Sequence, residues 1–549
     1  MSTIAELIRA RAGDDNTALR FEDDRWSYRE YVEACAVRAA LLDELRRPGP
    51  FHVGVLLENV PEYLFWIGGG ALAGAAVVGI NPTRRAAELE RDVAHTDCQL
   101  VVTDTAGLAL LDGLDLGVEP ERVLVVDSPD YAQHVATHAG VPPPDAPVEP
   151  SALLLLLFTS GTTGAPKAVR CTHGRLAMIA ERVEATYELT GDDVCYCPMP
   201  LFHGNALMAL WAPALRAGAC VALPRKFTAS GFLPDVRRFG ATYFTYVGKA
   251  LTYILATPER PDDLDNPLVR AFGNEASAQD IDAFQRRFGC RIVEGYGSSE
   301  GGATIQQVPG MPDGALGRAH SDATVVVDPA TGEECPRARF DEHGRLVNAD
   351  DAIGEIVNKE GAAGFEGYYE NAEADAERTR NGWYWSGDLG YRDEDGWFYF
   401  GGRSADWLRV DGENFAAAPV ERILARHPDV VVAAVYAVPD SHAGDQVMAA
   451  LELRPGASLD PDGFSEFLDE QADLGTKWAP RFVRITSSVP LTGSHKVVKL
   501  SLRRQRWECD DPVWWRPARG DAGYRSVTAD DREAVRKEFA AHGRLHLLE

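Results

Sequence analysis

A loop rich in hydroxyl groups and glycine follows the most apolar stretch of the chain. The strand-like run LLLLLF (Leu153–Phe158) leads into TSGTTGAPK, which ends at Lys167. Hydroxyl groups donate hydrogen bonds, glycines let backbone N–H groups approach an anion, and the lysine adds positive charge. The residues with this predicted phosphate-binding role are Thr159, Ser160, Gly161, Thr162, Thr163 and Gly164.

The loop does not match a Walker loop, in which the lysine precedes Ser or Thr and opens a helix. Here Pro166 precedes Lys167, and Ala168-Val169 continue as a strand would. A phosphate would therefore be held between strands. Composition alone leaves two interpretations open, a phosphate loop and a Gly/Thr surface turn.

Three further polar groups occur in distinctive settings later in the chain. Glu300 ends GYGSSE, Asp388 ends YWSGD, and Lys496 lies in PLTGSHKVVKLSL. A carboxylate suits a hard cation such as Mg²⁺ or a sugar diol, and a lysine suits a phosphate. Taken singly, these residues are more simply a solvated loop glutamate, a turn aspartate and an exposed lysine.

Together and in this order, these segments resemble the adenylate-forming superfamily of acyl-CoA synthetases, peptide-synthetase adenylation domains and luciferases. GGRSADWLRVDGENF (Gly401–Phe415) resembles the hinge of that family and the start of its mobile domain. The sequence of this segment most resembles the fatty-acid-transport and very-long-chain acyl-CoA synthetase branch. The resemblance covers nearly the whole chain and implies attack of a carboxylate on the α-phosphate of ATP.

The resemblance also implies roles for individual residues. Lys496, Glu300 and Lys167 would be catalytic, Glu300 would hold Mg²⁺, and Tyr296 would stack on adenine. His203, in PLFHGNALMAL, and Gly412 would line the acyl and CoA channel. The remaining residues expected to bind the nucleotide are Gly273, Asn274, Glu275, Gly297, Ser298, Ser299, Asp388 and Arg403.

Two positions depart from the common family pattern. The expected hinge residue is Ala405, where the family often has Asp or Lys. Its small side chain should permit a torsion change without a charge that favours either state. His495 stands before the lysine, where the family usually has Gly, and a bulky residue there would change how the loop packs.

The elements that must position these residues alternate between strand and helix patterns. Apolar runs such as LVVTD (Leu100–Asp104) and VLVVD (Val123–Asp127) lie between helical stretches such as Arg29–Leu45. This alternation predicts an α/β fold, with a large N-terminal domain of doubly covered, mostly parallel sheets. Tight turns and aromatic residues after about residue 320 predict a small antiparallel β unit. We expect an N-terminal adenylation domain at 1–404 and a small, mobile α+β C-terminal domain at 405–549.

Composition limits the partners of the protein. The chain of 549 residues has a net charge of −28, which argues against nucleic acid or an anionic membrane as a partner over a wide surface. Its 9 cysteines form no CxxC pair, which favours reduced thiols. No signal peptide or transmembrane segment is evident, so we expect a cytoplasmic enzyme.

These observations favour an ATP-dependent carboxylic acid–CoA ligase that uses ATP, Mg²⁺ and CoA. The acid is expected to be bulky and hydrophobic: a fatty acid, a steroid side-chain acid or a polycyclic terpenoid acid. One alternative is an adenylating enzyme that passes its acyl group to a carrier protein. Another is a non-catalytic protein that binds a nucleotide or acyl-adenylate. The sequence leaves open a homo-oligomer.

Overall fold

The structure is a computed structural model and describes most of the chain. The described residues are 2–159, 167–312, 314–342, 346–403, 407–410, 413–475, 477–493, 495–517 and 523–548. For residues 403, 413 and 414 only the backbone is described.

A six-stranded sheet lies in the N-terminal part of the chain. Its strands run parallel except for the last, which pairs antiparallel with Leu153–Phe158. Leu154 to Leu157 are buried, because helices or further layers cover both faces of a parallel sheet. In spatial order the strands are Val123–Val125, Cys98–Thr103, His52–Leu56, Ala76–Gly79, Leu153–Phe158 and Ala168–Thr172.

A larger sheet of thirteen strands combines a parallel half with an antiparallel half. The change occurs at Arg291–Tyr296, which pairs parallel on one side and antiparallel on the other. In spatial order the strands are Thr324–Val327, Gly354–Asn358, Tyr384–Arg392, Phe398–Arg403, Ala315–Ala319, Ile305–Gln306, Arg291–Tyr296, Arg270–Asn274, Tyr243–Val247, Val194–Tyr196, Cys220–Leu223, Thr17–Phe21 and Asp24–Ser27.

The C-terminal part has its own sheets and its own buried cores. Trp407–Val410 pairs with Glu413–Ala416, and a separate five-stranded sheet follows. Phe464 and Trp507 are buried in two apolar clusters on this sheet. The strands of the five-stranded sheet, in order, are Val430–Pro439, Asp445–Leu453, Phe482–Thr486, Val513–Trp515 and Arg525–Ser526.

Helices cover these sheets, and several begin at side-chain caps. At the N-terminus of helix Tyr28–Leu45, the Ser27 side chain accepts a hydrogen bond from the Glu30 backbone N–H. The Glu30 side chain in turn accepts one from the Ser27 backbone N–H. The other α-helices are Ile4–Ala10, Pro61–Ala73, Ala87–His95, Thr105–Leu111, Pro129–Thr137, His173–Tyr187, Gly204–Ala206, Ala212–Ala217, Ala229–Phe239, Ala250–Leu255, Ala278–Phe288, Ala349–Ala352, Ala372–Arg378, Ala417–Leu424, Pro461–Asp469, Lys499–Gln505 and Ala529–Ala541. A π-helix spans Leu207–Trp211, and 3₁₀ helices span Pro120–Arg122, Gly361–Gly364, Arg380–Gly382 and Leu545–Leu548.

The observed architecture confirms the predicted fold class. The runs expected as strands near 100–104 and 123–127 form the parallel strands Cys98–Thr103 and Val123–Val125. The region after residue 320 is antiparallel, as its turns and aromatic residues indicated. Within the described ranges, none of the helices has both the length and the apolar character needed to cross a bilayer. The predicted domain boundary at 404/405 falls on residues outside the described ranges and stays a prediction.

Candidate active site

The parallel strands of the large sheet end at one edge, and this edge opens into a cleft of about 2670 Å³. Strand Arg270–Asn274 brings Asn274 and Glu275 to it, and strand Arg291–Tyr296 brings Tyr296 and Glu300; Gly273 lies in the same strand but does not line the cleft. The carboxyl ends of parallel strands are the usual place for ligand sites in such sheets. The segments that sequence placed apart therefore converge on one cavity.

The predicted phosphate loop joins two paired strands. Leu153–Phe158 and Ala168–Thr172 are antiparallel neighbours, and the Thr159 N–H donates to the Lys167 carbonyl at 3.1 Å. Both Thr159 and Lys167 line the cleft. This strand–loop–strand arrangement agrees with the predicted contrast to a Walker loop. The loop residues themselves lie outside the described residues: Ser160, Gly161, Thr162, Thr163 and Gly164.

Lys167 and Glu300 are linked through Tyr368. The Tyr368 hydroxyl donates to Glu300 Oε1 at 2.9 Å and accepts from Arg378 Nε at 3.2 Å. Lys167 Nζ lies 5.9 Å from the centre of the Tyr368 ring and 3.3 Å from a carboxylate oxygen of Glu377. Burial, with the nearby negative charge of Glu300, raises the pKa of Tyr368 well above its usual range. Tyr368 therefore stays a neutral donor that fixes the Glu300 carboxylate.

Glu300 suits a hard cation. It is only 5% exposed, yet it lines the cleft from the end of GYGSSE. A carboxylate oxygen is a ligand that Mg²⁺ prefers, and Mg²⁺ keeps several waters and substrate phosphate oxygens as further ligands. The Glu300 carboxylate can therefore serve as the single protein ligand of a Mg²⁺ ion.

Tyr296 and Asp388 form a second pair. The Tyr296 hydroxyl donates to Asp388 Oδ2 at 2.9 Å, and the Asp388 N–H donates to Ser386 Oγ at 3.1 Å. Burial, with the nearby Asp388 charge, raises the pKa of Tyr296 well above its usual range. The backbone of Arg403 lies opposite Asp388 in the antiparallel ladder. The structure therefore brings together the residues that are expected to bind adenine and ribose. Their roles stay predictions.

Next to this pair, the GYGSSE segment is held by neighbouring elements. Ser298 Oγ lies 3.3 Å from the Tyr384 hydroxyl, and the Ser299 carbonyl accepts from Arg175 Nη2 at 2.5 Å. Gly297, Ser298 and Ser299 all line the cleft. The segment is thus fixed before any ligand arrives.

Gly273 lies against a buried aromatic ring. A Cβ at Gly273 would approach the ring of Tyr246 to 2.1 Å, so only glycine fits there. The Tyr246 hydroxyl donates to Glu294 Oε1 at 2.8 Å, and burial raises the pKa of Glu294 from its usual 4.5 to about 7. Asn274 Nδ2 donates to the Gly295 carbonyl and ties the two strand ends together.

Lys496 reaches the cleft from the C-terminal part of the chain. Its Nζ lies 2.6 Å from Glu275 Oε1. The Lys249 N–H donates to the His495 carbonyl at 3.2 Å, and the His495 ring packs edge-on against Phe227 at 4.9 Å. This loop around Lys496, the lysine loop, is therefore docked on the same edge as the segments that are expected to bind the nucleotide.

His203 lies in the interior beside this cluster. Burial lowers its pKa to about 4, so the ring is neutral at neutral pH. Its Nδ1 accepts from the Asn205 N–H at 3.3 Å and caps the short helix Gly204–Ala206. These contacts give His203 a structural role, and its expected role in the acyl and CoA channel stays a prediction.

One wall of the cleft is mostly apolar, although Arg175, Arg182 and Thr186 also line it. It is formed by helix His173–Tyr187, by the π-helix Leu207–Trp211 and by the neighbouring strands. Met178 on this wall is 56% exposed, which is unusual for a large apolar side chain. The apolar residues of these elements that line the cleft are Met178, Ile179, Val183, Met208, Ala209, Phe272 and Val293.

The structure thus gathers most of the expected site residues around one cavity. The predicted hinge Ala405 and the predicted channel residue Gly412 lie outside the described residues, as does the side chain of Arg403. Sequence reasoning missed the partners that hold the expected residues: Glu377, Tyr368, Arg378, Tyr246 and Glu294. The one related signal was the aromatic character of the region around Tyr368, which indicated only part of an antiparallel β unit.

The arrangement can bring two anions together. Lys167 and Lys496 supply positive charge to the cleft, and Glu300 offers an oxygen ligand for a cation in the same cleft. Positive groups fixed around a reacting phosphate stabilise the charge that develops in phosphoryl and nucleotidyl transfer. The apolar wall beside them suits an organic acid with a large hydrocarbon body.

Comparison with known proteins gives independent results. A family model described as AMP-binding enzyme matches residues 8–369, and one described as AMP-binding enzyme C-terminal domain matches residues 419–496. Steroid-22-oyl-CoA synthetase from Rhodococcus jostii (strain RHA1) is 58% identical over 548 residues, covering 100% of this chain and 99% of that protein. Medium/long-chain-fatty-acid–CoA ligase FadD17 from Mycobacterium tuberculosis is 46% identical over 513 residues, covering 93% and 98%.

Solved structures share the fold. ATP-bound MatB from Rhodopseudomonas palustris is 25% identical, with a TM-score of 0.76 and coverage of 92% of this chain and 99% of that chain. The anthranilate CoA ligase AuaEII in complex with anthranoyl-AMP is 21% identical, with a TM-score of 0.78 and coverage of 91% and 96%. The similarity extends through both the N-terminal and the C-terminal parts of the chain.

Proposed function

The chain belongs to the family of AMP-binding enzymes, and from this premise we propose that it is an ATP-dependent carboxylic acid–CoA ligase. In the first step, a carboxylate oxygen of the acid attacks the α-phosphorus of ATP. The bond between that phosphorus and the bridging oxygen breaks, and pyrophosphate leaves with the electron pair. In the second step, the CoA thiol attacks the acyl carbon, loses its proton and displaces AMP.

The observation that carries this proposal is the meeting of Lys496 with the N-terminal cleft. Lys496 comes from beyond the predicted boundary at residue 405, yet it lines the same cavity as Lys167, Glu300 and Asp388. Lys496 would neutralise the attacking carboxylate and the α-phosphate, which otherwise repel each other. Lys167 would stabilise the departing pyrophosphate from the opposite strand pair.

Mg²⁺ would enter with ATP as part of the substrate. Glu300, held by the Tyr368 hydroxyl, would provide the protein's oxygen ligand. The ion would supply additional positive charge next to the phosphates. Asp388 would accept hydrogen bonds from the ribose hydroxyls, and Tyr296 would lie against adenine with the Gly273–Glu275 backbone on the other side.

The second step requires Lys496 to leave. A thiol must approach the acyl carbon where the lysine loop is docked, so the C-terminal domain would turn as a unit. We propose that this domain begins at the predicted boundary 404/405 and that Ala405 is its hinge. Gly412 would then come close to the pantetheine arm, with His203 beside the passage between acid and thiol.

A steroid side-chain acid is the proposed substrate. Two observations support it: the 58% identity to a steroid-22-oyl-CoA synthetase along the whole chain, and the apolar wall with the exposed Met178. A medium- or long-chain fatty acid is the second candidate, which the 46% identity to a fatty-acid–CoA ligase favours. Either acid would bury a hydrocarbon body against helix His173–Tyr187.

Carboxylate-dependent exchange of labelled pyrophosphate into ATP tests the first step. Purified protein is assayed with steroid side-chain acids and with fatty acids of graded length, and the kcat/KM values are compared. We expect steroid acids to be preferred. Preference for fatty acids overturns the steroid assignment, and no exchange with any acid supports the non-catalytic alternative.

Addition of CoA then tests the second step. Mass spectrometry should detect the acyl-CoA thioester together with AMP. Exchange without a thioester would instead indicate transfer to a carrier protein, the alternative that the sequence left open.

A further inference from the structure

A carboxylate of the N-terminal part meets Lys496 inside the cleft. The Lys496 ammonium and Glu275 Oε1 are 2.6 Å apart, although the two residues are separated by 221 positions in the chain. Glu275 follows a strand of the large sheet, whereas Lys496 follows strand Phe482–Thr486 of the C-terminal sheet. The ion pair therefore bridges the two parts at the point where adenylation is proposed to occur.

The backbone of Glu275 is held in an unusual conformation. Its φ of +75° lies in the left-handed region, which a residue with a long side chain rarely adopts. Both neighbours are fixed: Asn274 Nδ2 donates to the Gly295 carbonyl, and the Ala276 N–H donates to Glu294 Oε1 at 2.7 Å. Such conformations persist where the surroundings enforce them, commonly at functional sites.

The ion pair is not what docks the lysine loop. His495 already bonds to Lys249 and packs on Phe227, and a Cβ at Gly493 would lie 3.0 Å from the Phe202 ring. Because these contacts already fix the loop, the Glu275 carboxylate determines how the Lys496 ammonium group is oriented.

We propose that Glu275 is a positioning residue for Lys496, an inference that rests on the proposed function. A lysine ammonium has three N–H donors. Glu275 accepts one of them, which orients the other two toward the acid carboxylate and the α-phosphate. Glu275 itself touches neither reacting atom through its side chain. Its contribution is confined to the first step, because Lys496 leaves the site in the second.

Two substitutions test this role. Glu275→Ala should lower the kcat of pyrophosphate exchange roughly 10- to 100-fold, because misplacement of a catalytic group by about 1 Å has effects of this size. Glu275→Gln keeps an oxygen acceptor and should lose only about threefold, since a neutral hydrogen bond is weaker than a charge-assisted one. Both variants keep the Glu275 backbone that would lie against adenine, so thioester formation from supplied acyl-adenylate and CoA should fall far less than pyrophosphate exchange.

The matched control is Glu421→Gln, which removes the carboxylate that pairs with Lys499 Nζ at 2.8 Å within the C-terminal part. It should leave the ratio of the two half-reactions unchanged. Equal losses in both half-reactions, or full exchange activity in Glu275→Ala, would overturn the positioning role. Lack of exchange in the wild-type protein with every acid would instead contradict the proposed function.

A separate observation concerns the surface between two N-terminal helices. His134 and His138 lie four positions apart at helix Pro129–Thr137, and both face Glu44 of helix Tyr28–Leu45. The Nε2 atom of His138 is 2.8 Å from Glu44 Oε2, and that of His134 is 3.3 Å from both carboxylate oxygens. One potential ligand atom from each residue lies within 4.8 Å of the other two.

We infer that these three side chains form a site for a divalent transition metal such as Zn²⁺. Imidazole nitrogens and a carboxylate oxygen are ordinary zinc ligands, and bonds of 2.0–2.2 Å to one ion place ligand atoms roughly 3.3 Å apart. The His134–Glu44 separation of 3.3 Å equals that value, the His138–Glu44 separation is 2.8 Å, and the two histidine nitrogens lie within 4.8 Å of each other. A bound ion would clamp the two helices together and keep its fourth position for water.

Zinc binding is measured on protein without a purification tag, after treatment with a chelator and dialysis. We expect a stoichiometry near one zinc per chain and a higher Tm with Zn²⁺ but not with Mg²⁺. The double variant His134→Gln/His138→Gln should lose both effects and keep wild-type pyrophosphate exchange. No zinc binding by the wild-type protein, or equal binding and an equal rise in Tm in the variant, would overturn this site.

Discussion

The two lysines of the candidate site are each paired with a carboxylate. Lys167 lies 3.3 Å from Glu377, and Lys496 lies 2.6 Å from Glu275. Each ammonium therefore has a counter-charge before an anion arrives, which lowers the electrostatic cost of placing two cations in one cleft.

Substitution of Lys496 should separate the two half-reactions. Lys496→Ala removes the cation that is proposed to bridge the acid carboxylate and the α-phosphate. We expect pyrophosphate exchange to fall by about 10²- to 10³-fold, the usual effect of removing one stabilising donor. Thioester formation from supplied acyl-adenylate should remain close to wild type. Equal loss of both steps, measured side by side, would contradict the role of this lysine.

Glu294 should make stability depend on pH. Its pKa rises from 4.5 to about 7 on burial, so the folded protein favours the protonated acid. The contribution of Glu294 to the free energy of unfolding is fully present below pH 4.5 and is lost as the pH rises through 7. Its total size is on the order of 3 kcal/mol. Glu294→Gln keeps an acceptor for the Tyr246 hydroxyl and cannot ionise.

Thermal unfolding at pH 5 and pH 8 measures this effect. The Tm of the Glu294→Gln variant minus that of the wild type should be larger at pH 8 than at pH 5. The exposed Glu373→Gln serves as a control that should show no such gain. A Glu294→Gln difference in Tm that is constant across this range would refute the assignment.

At the scale of elements, the lysine loop explains the unusual histidine in GSHKVVK. His495 has a φ of +61°, the left-handed conformation for which glycine is the usual residue. Histidine adopts this region more readily than most side chains. Its ring, whose pKa is lowered by burial, packs as a neutral group on Phe227. The sequence predicted that a bulky residue here would change how the loop packs. In the structure the His495 ring packs against Phe227.

Replacement of His495 should therefore depend on backbone conformation. His495→Val places a β-branched residue at positive φ, which is strained by about 1–3 kcal/mol, so the loop should shift and adenylation should fall roughly tenfold. His495→Gly relieves the backbone and should stay within about threefold of wild type despite the lost ring contact. Pyrophosphate exchange measures both variants. A Gly variant as impaired as the Val variant would show that the ring, and not the backbone, determines the position of Lys496.

The sequence predicted elements better than it predicted the contacts between them. Strand–helix alternation fixes a sheet whose carboxyl edge collects Gly273–Glu275 and Tyr296–Glu300, because parallel strands end together. No local pattern connects Glu300 with Tyr368 and Arg378, which lie about seventy positions away on an irregular segment and a short helix. The Glu275–Lys496 pair was equally hidden, since it depends on how the C-terminal part docks.

At the scale of the whole molecule, the proposed mechanism requires one cavity to serve two steps. Contacts at Lys249, Phe227 and Phe202 hold the lysine loop at the cleft, where it would hinder the approach of a thiol. Tyr253 adds a further contact, since its hydroxyl donates to Glu452 Oε2 at 3.1 Å. The ion pair at Glu275 is partly exposed and therefore adds little to this docking.

Restriction of the proposed hinge should trap the enzyme in the first step. Ala405→Pro fixes φ near −65° and removes an N–H, which should hinder rotation of the C-terminal domain. Because Lys496 can still reach the cleft, pyrophosphate exchange should remain within a few-fold of wild type, whereas overall acyl-CoA formation should fall by at least about tenfold.

Ala405→Gly, which leaves the backbone unrestricted, is the matched control and should preserve both steps. The two assays, exchange and thioester mass spectrometry, are run on the same preparations. If the Pro variant forms acyl-CoA at the wild-type rate, the rotation does not occur at residue 405. If it loses both steps while Ala405→Gly retains them, this residue supports docking of the lysine loop, and the hinge must lie elsewhere in Gly401–Phe415.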